Sequence, residues 1–144
     1  MYIRDVAPII CFLLFAGLSG ALAQEAARST SQGVFTEEQA KRGAVAYNAN
    51  CASCHGANLR STDREVPNLT DGSFKSGWIG KTIAEKFEAA RDNMPPRDER
   101  SLPDQVYLDI VTFILRANKA PVGTEELKPD FEILKQIKIS DPAG

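Results

Sequence analysis

Cys51-Ala52-Ser53-Cys54-His55 carries most of the chemistry this 144-residue chain could do. Two thiols three positions apart, at the start of a helical turn, point the same way, and the next residue places an imidazole on the same side. C-x-x-C-H is the attachment pattern of a c-type haem, in which each thiol forms a thioether with a vinyl group and the histidine reaches the iron. His55 is the sole histidine of the chain. A zinc site needs about four ligands, and outside the motif the remaining cysteine, Cys11, lies deep in an apolar N-terminal run. A thioredoxin-like pair requires no following histidine and sits beside a βαβ pattern, and no such pattern is visible. The motif predicts one covalently bound haem c, held by Cys51 and Cys54 with His55 on the iron.

With His55 on one face of the iron, the opposite face decides the chemistry. An open position binds small ligands or peroxide, whereas a filled one leaves outer-sphere electron transfer. Apart from the initiator, Met94 is the one methionine. Methionines that fill gaps in a core belong on apolar helical faces, but Met94 stands in Asn93-Met94-Pro95-Pro96. That setting makes it the candidate second axial ligand. Its thioether is a soft donor that favours ferrous iron and raises the potential relative to two imidazoles.

The elements that must position these groups are helical. Thr36-Glu37-Glu38-Gln39 fits a capping box and opens a first helix, on which Ala40, Gly43, Ala44 and Tyr47 share a face. Residues 56–80 are rich in Asn, Ser, Asp, Gly and Pro and read as loop. Thr82-Ile83-Ala84-Glu85 is a second capping box, followed by Ile83, Phe87 and Ala90 on one side. Pro95 and Pro96 stop that helix by Asn93. Ser101 is the expected cap of a third helix reaching about Asn118, with Val106, Ile110, Phe113 and Ile114 as its stripe. In the tail, Phe131, Leu134 and Ile137 suit a helix, while Ile137 and Ile139 suit a strand. Three helices and much loop form a thin core, which an apolar macrocycle at the centre would complete.

The N-terminus reads as an export signal. Arg4 precedes an apolar run from Val6 to Leu22 that closes on Ala21-Leu22-Ala23, an A-x-A cleavage pattern. Asp5 weakens the basic start, so an uncleaved anchor is the alternative. The expected organisation is signal 1–23, flexible leader 24–34, a domain over 35–118, and a tail over 119–144 packed on the domain or trailing from it. About 120 residues make one domain. A net charge of −2 argues against a nucleic-acid partner. No second long apolar stretch follows, so no membrane span is expected after cleavage.

From Phe35 to about Asn118 the chain resembles the class I c-type cytochromes. Cys51–Gly56 is similar to their haem-binding motif, and Gly43 and Tyr47 fall on the small and aromatic positions where their first helix crosses the last. Ile110, Phe113 and Ile114 are similar to the residues that meet them. Pro67-Asn68-Leu69 with Gly72 resembles the segment whose proline carbonyl accepts a hydrogen bond from the axial histidine. The resemblance therefore implies an all-α cytochrome c fold: three main helices and a short haem-attachment helix around one haem, with an extended C-terminal tail. It implies His55 and Met94 as axial ligands and Pro67 as the partner of His55. Trp78 is a candidate contact for a haem propionate, or else packs at the haem edge.

Trp78-Ile79-Gly80, Met94-Pro95-Pro96 and the Asn118…Pro121…Leu127 ending are also similar to small cytochromes that serve periplasmic quinoprotein-type dehydrogenases. The expectation is a periplasmic, monomeric, non-enzymatic carrier of single electrons. A dehydrogenase would be its donor and an oxidase or another cytochrome its acceptor. The alternative is a haem protein with an open or labile sixth position, and a dedicated subunit of one dehydrogenase complex is a further form. Lys75, Lys81, Lys86, Arg91, Arg97 and Arg100 flank the ligand segments, as a docking rim or, more simply, as part of a mixed-charge surface.

Overall fold

The computed structural model describes residues 28–142; the expected signal over 1–23 lies outside them. In chain order the elements are a strand β1 (Arg28–Ser29), a 3₁₀ turn (Thr30–Gln32), and helices α1 (Glu37–Asn50), α2 (Ala52–His55) and α3 (Asp71–Trp78). Then come α4 (Ile83–Asn93), α5 (Asp104–Ala117), α6 (Phe131–Leu134) and a strand β2 (Ile137–Lys138). The described residues are thus mostly helical, with one two-stranded parallel pair, Arg28 opposite Ile137 and Ser29 opposite Lys138.

The crossing of α1 and α5 is the centre of the fold. Ala40, Gly43 and Tyr47 of α1 are buried against a helix that itself buries Tyr107, Leu108, Ile110, Val111, Ile114 and Leu115. Each large apolar side chain withdrawn from water here contributes roughly 1.5–3 kcal/mol. The approach is close: a Cβ built on Gly43 would lie 1.8 Å from the Asp109 carbonyl oxygen. On α4, Ile83 and Phe87 are buried and Ala90 is partly buried, the side expected from its spacing. The Thr82–Glu85 capping box is present, and α4 ends at Asn93.

Elsewhere the structure departs from the sequence reading. Thr36 accepts from the Gln39 N–H at 3.1 Å, but Gln39 does not return the bond. Its side chain is buried, donating to Asp109 Oδ1 (3.0 Å) and Leu127 O (2.9 Å) and accepting from the Leu127 N–H (2.9 Å). Buried polar atoms cost free energy unless paired, and here the pairing couples α1, α5 and the tail. Arg42 closes the same network from outside, bonding Asp109 and both oxygens of Glu126. Its guanidinium holds the Glu126 carboxyl below the ordinary carboxylate range. Gln39→Ala is expected to cost roughly 2–3 kcal/mol, because it strands a buried N–H at Leu127. A lower urea midpoint, with faster proteolysis around residues 122–128, would register the loss.

Ser101 does not cap α5. The helix starts at Asp104 with Pro103 in the cap position, where its carbonyl accepts from the N–H groups of Val106 and Tyr107. Within the segment read as loop, Asp71–Trp78 is helical. It buries only Phe74 and Trp78, four residues apart with rings 5.4 Å apart and stacked, and its two glycines conceal it from propensity. Residues 28–34, expected to be leader, are pinned: Ser29 and Gln32 form a capping box, Ser29 bonds Ser140 at 2.9 Å, and Val34 is buried. The tail adopts both of its candidate conformations in succession, α6 and then β2, with Leu127, Leu134, Ile137 and Ile139 buried on the domain.

Candidate haem-binding site

Between α1, α4 and α5 lies a cavity of about 460 Å³ whose wall includes Cys51, Cys54, His55, Pro67, Trp78 and Met94. All six residues singled out from sequence therefore meet at one place, although Met94 is far from the motif along the chain. Most of the remaining wall is apolar, with Ala89 and Ala90 of α4 and Ile110 and Ile114 of α5 among its members.

The motif is positioned by the end of α1. Cys51 closes α1, its N–H bonding Tyr47 O at 2.8 Å, and the four residues of α2 follow at once. Gly56 ends that turn with φ +78, and a Cβ there would lie 2.0 Å from the Arg60 carbonyl oxygen, so glycine is required. The Tyr47 hydroxyl donates to Gly56 O at 2.8 Å, clamping the turn onto α1. Burial, with the neighbouring Cys51 adding to it, pushes the Tyr47 phenol up to about 12, so it stays a donor. Cys51 is half-buried and its free thiol is pushed up to about 11, by burial first and Cys54 second, whereas Cys54 is exposed.

His55 is buried, and its Nδ1 lies 3.0 Å from the Pro67 carbonyl oxygen. A carbonyl only accepts, so Nδ1 carries the proton and Nε2 keeps its lone pair free for a metal. The same bond fixes the ring and makes it a stronger donor. Pro67 is held in turn by its neighbours: Asn68 Oδ1 accepts from the Ser61 N–H, and Leu69 N–H donates to Leu59 O. Asn118 beyond α5 donates to Leu69 O at 2.9 Å.

Met94 is half-buried at the end of α4, its N–H bonding Ala90 O at 3.1 Å. Tyr107, which the sequence reading passed over, is buried in the cavity wall and donates to Met94 O at 2.9 Å. Its spacing to Ile110 and Ile114 on α5 is the helical signal that could have found it. Lys86 also reaches the wall, its Nζ 5.4 Å from the centre of the Trp78 ring, and desolvation lowers its pKa. Of the other cations around the ligand segments, Lys75 pairs with Asp141, Lys81 with Glu85, and Arg91 and Arg100 both with Asp92. These pairs make the surface one of mixed charge.

The donor set fits a haem: two thiols on one wall, an imidazole with its Nε2 free, a thioether on the same cavity, and apolar walls for the macrocycle. Among the described residues no three His, Cys, Asp or Glu side chains converge as a metal site. No described helix is long and apolar enough to cross a membrane.

A family model described as cytochrome c oxidase, cbb3-type, subunit III, matches residues 38–114. Among curated proteins, the cbb3-type cytochrome c oxidase subunit CcoP of Rubrivivax gelatinosus is 33% identical over 73 residues, which are 50% of this chain and 24% of that protein. The chain thus spans about a quarter of that relative. Among solved structures, a chain of the sulfane dehydrogenase SoxCD from Paracoccus pantotrophus superposes with a TM-score of 0.52 at 22% identity. That match covers 84% of this chain and 64% of the other, a likeness of fold.

Proposed function

The chain belongs to the cbb3-type subunit III family of cytochrome c domains, and on that footing we propose that it is an exported, monohaem electron carrier. Domains of this family bind haem covalently and transfer electrons. The finer reading is a periplasmic monomer with residues 1–23 as signal, 35–118 as the haem domain and 119–144 as a tail. It would take single electrons from a dehydrogenase and pass them to an oxidase or another cytochrome. The name of the CcoP relative, an oxidase subunit, supports an oxidase on the accepting side. One observation carries the proposal: Cys51, Cys54, His55 and Met94 all line one apolar cavity.

In that cavity Cys51 and Cys54 would hold the haem by thioethers, and His55 Nε2 and the Met94 sulfur would ligate its iron. When bound, the haem supplies a one-electron ferric/ferrous couple. The Pro67 carbonyl fixes the His55 ring and raises its basicity. Met94 would counter with a soft donor that favours the reduced iron. The apolar wall would limit water at the iron, and Trp78 is the proposed neighbour of a propionate.

Met94→Ala tests the assignment. The ferric protein should lose its sulfur–iron charge-transfer band at the red edge of the visible, bind cyanide readily, and show a lower reduction potential. A spectrum and potential unchanged from wild type would remove Met94 as the ligand.

A further inference from the structure

The sixth ligand of such a site is held by a loop, and the loop's tethers are unequal. Met94 begins a segment in which Pro95 and Pro96 have no N–H to donate. Several of its other bonds return to itself or to α4: Asp98 N–H to Pro95 O at 3.0 Å, Arg100 N–H to Arg91 O at 3.0 Å, and Arg100 Nε to Asp92 at 3.1 Å. Tyr107 does something different. It reaches from α5 across the cavity wall and donates its hydroxyl to Met94 O at 2.9 Å. The ring is 2% exposed, so its direction is set by packing rather than by solvent. With the Met94 N–H on Ala90 O, both backbone groups of the residue are then engaged, one by α4 and one by α5.

We infer that Tyr107 is a positioning residue that holds Met94 on the iron and sets how readily the sixth position opens to outside ligands. This rests on the haem reading above. The Met94 thioether must leave the iron before cyanide can bind, with no change in oxidation state. The inferred route of release is a lift of the loop that carries Met94, and lifting breaks the Tyr107 bond to its backbone. The bond therefore lies on the path of opening, whereas ordinary core contacts do not.

The test is cyanide binding to the ferric, haem-loaded protein, followed by loss of the sulfur–iron band. Tyr107→Phe keeps the ring and deletes the hydroxyl, and it should speed binding about tenfold, the scale of one hydrogen bond to a part-buried carbonyl. Thr112→Val is the control. Thr112 is buried on the same helix and donates to Asp109 O at 2.8 Å, away from the loop. It should lower the denaturant midpoint comparably and leave the cyanide rate unchanged. Equal acceleration in both variants would reduce Tyr107 to a general stabiliser, and an unchanged rate in Tyr107→Phe would end the inference outright. Should Tyr107→Phe fail to load haem, 3-fluorotyrosine at position 107, a better donor of nearly the same size, should slow cyanide binding; no slowing would equally overturn it. Absence of the sulfur–iron band in the wild type is a separate result, and it would overturn the Met94 assignment together with this inference.

Discussion

Cys51→Ser with Cys54→Ser should give a chain that holds no covalent haem and has no cooperative melt. The cavity sets the scale. At about 24 cal/mol per Å³ of void, a space of about 460 Å³ left without its occupant corresponds to on the order of 10 kcal/mol. Water entering the open side reduces that figure. Even half of it takes up much of the ~5–15 kcal/mol that stabilises an ordinary domain. The walls that would collapse or flood are the buried faces of α4 and α5 and the end of α1, so the damage would reach the α1–α5 crossing itself. Haem staining on a denaturing gel should be lost, and far-ultraviolet dichroism should show a broad, non-cooperative transition. A double variant that is free of haem yet melts sharply near the wild-type temperature would show that the polypeptide organises itself without the cofactor.

The site was legible in the sequence because its chemistry depends on rare residue types. One histidine, two thiols three positions apart and a methionine followed by two prolines leave few alternatives, and the structure gathers Cys51, Cys54, His55, Pro67, Trp78 and Met94 around one cavity. The helices with strong local signals were legible too: the Thr82–Glu85 box and the Pro95 stop bracket α4 as they should. What escaped were features settled by tertiary partners. Gln39 looks like half of a capping box, but Asp109 and Leu127 offer its amide better-shielded partners. Asp71–Trp78 has two glycines in eight residues and becomes a helix because Phe74 and Trp78 have a core to enter. Residues 28–34 lack periodicity and are ordered by a strand partner more than a hundred residues away. Tyr107 resembles any aromatic on an apolar stripe until its hydroxyl is seen on Met94 O.

Gly43→Ala should be among the most damaging single substitutions outside the proposed haem ligands, despite its mildness on paper. In an isolated helix the change stabilises by about 1 kcal/mol, since alanine is the better helix former. Here the added methyl would lie 1.8 Å from the Asp109 carbonyl oxygen and 3.0 Å from Phe113 Cβ. The nearest obstacle is backbone, which no rotamer change can move, so α1 and α5 must separate. Overpacking typically costs ~1–3 kcal/mol and occasionally more, and separation compounds it. It would lengthen the Gln39–Asp109 bond and pull Tyr47 from Phe113, whose rings now lie 5.1 Å apart. Tyr47, Ile110 and Ile114 also line the cavity, so the haem would lose its fit as the crossing opens. The expected result is a net loss of ~3 kcal/mol or more, well beyond the propensity gain, with reduced haem loading. Val45→Ala, on the same helix at a position 74% exposed, should be nearly silent and controls for helix propensity. A Gly43→Ala protein as stable and as fully loaded as wild type would mean that the two helices do not meet as closely as the structure places them.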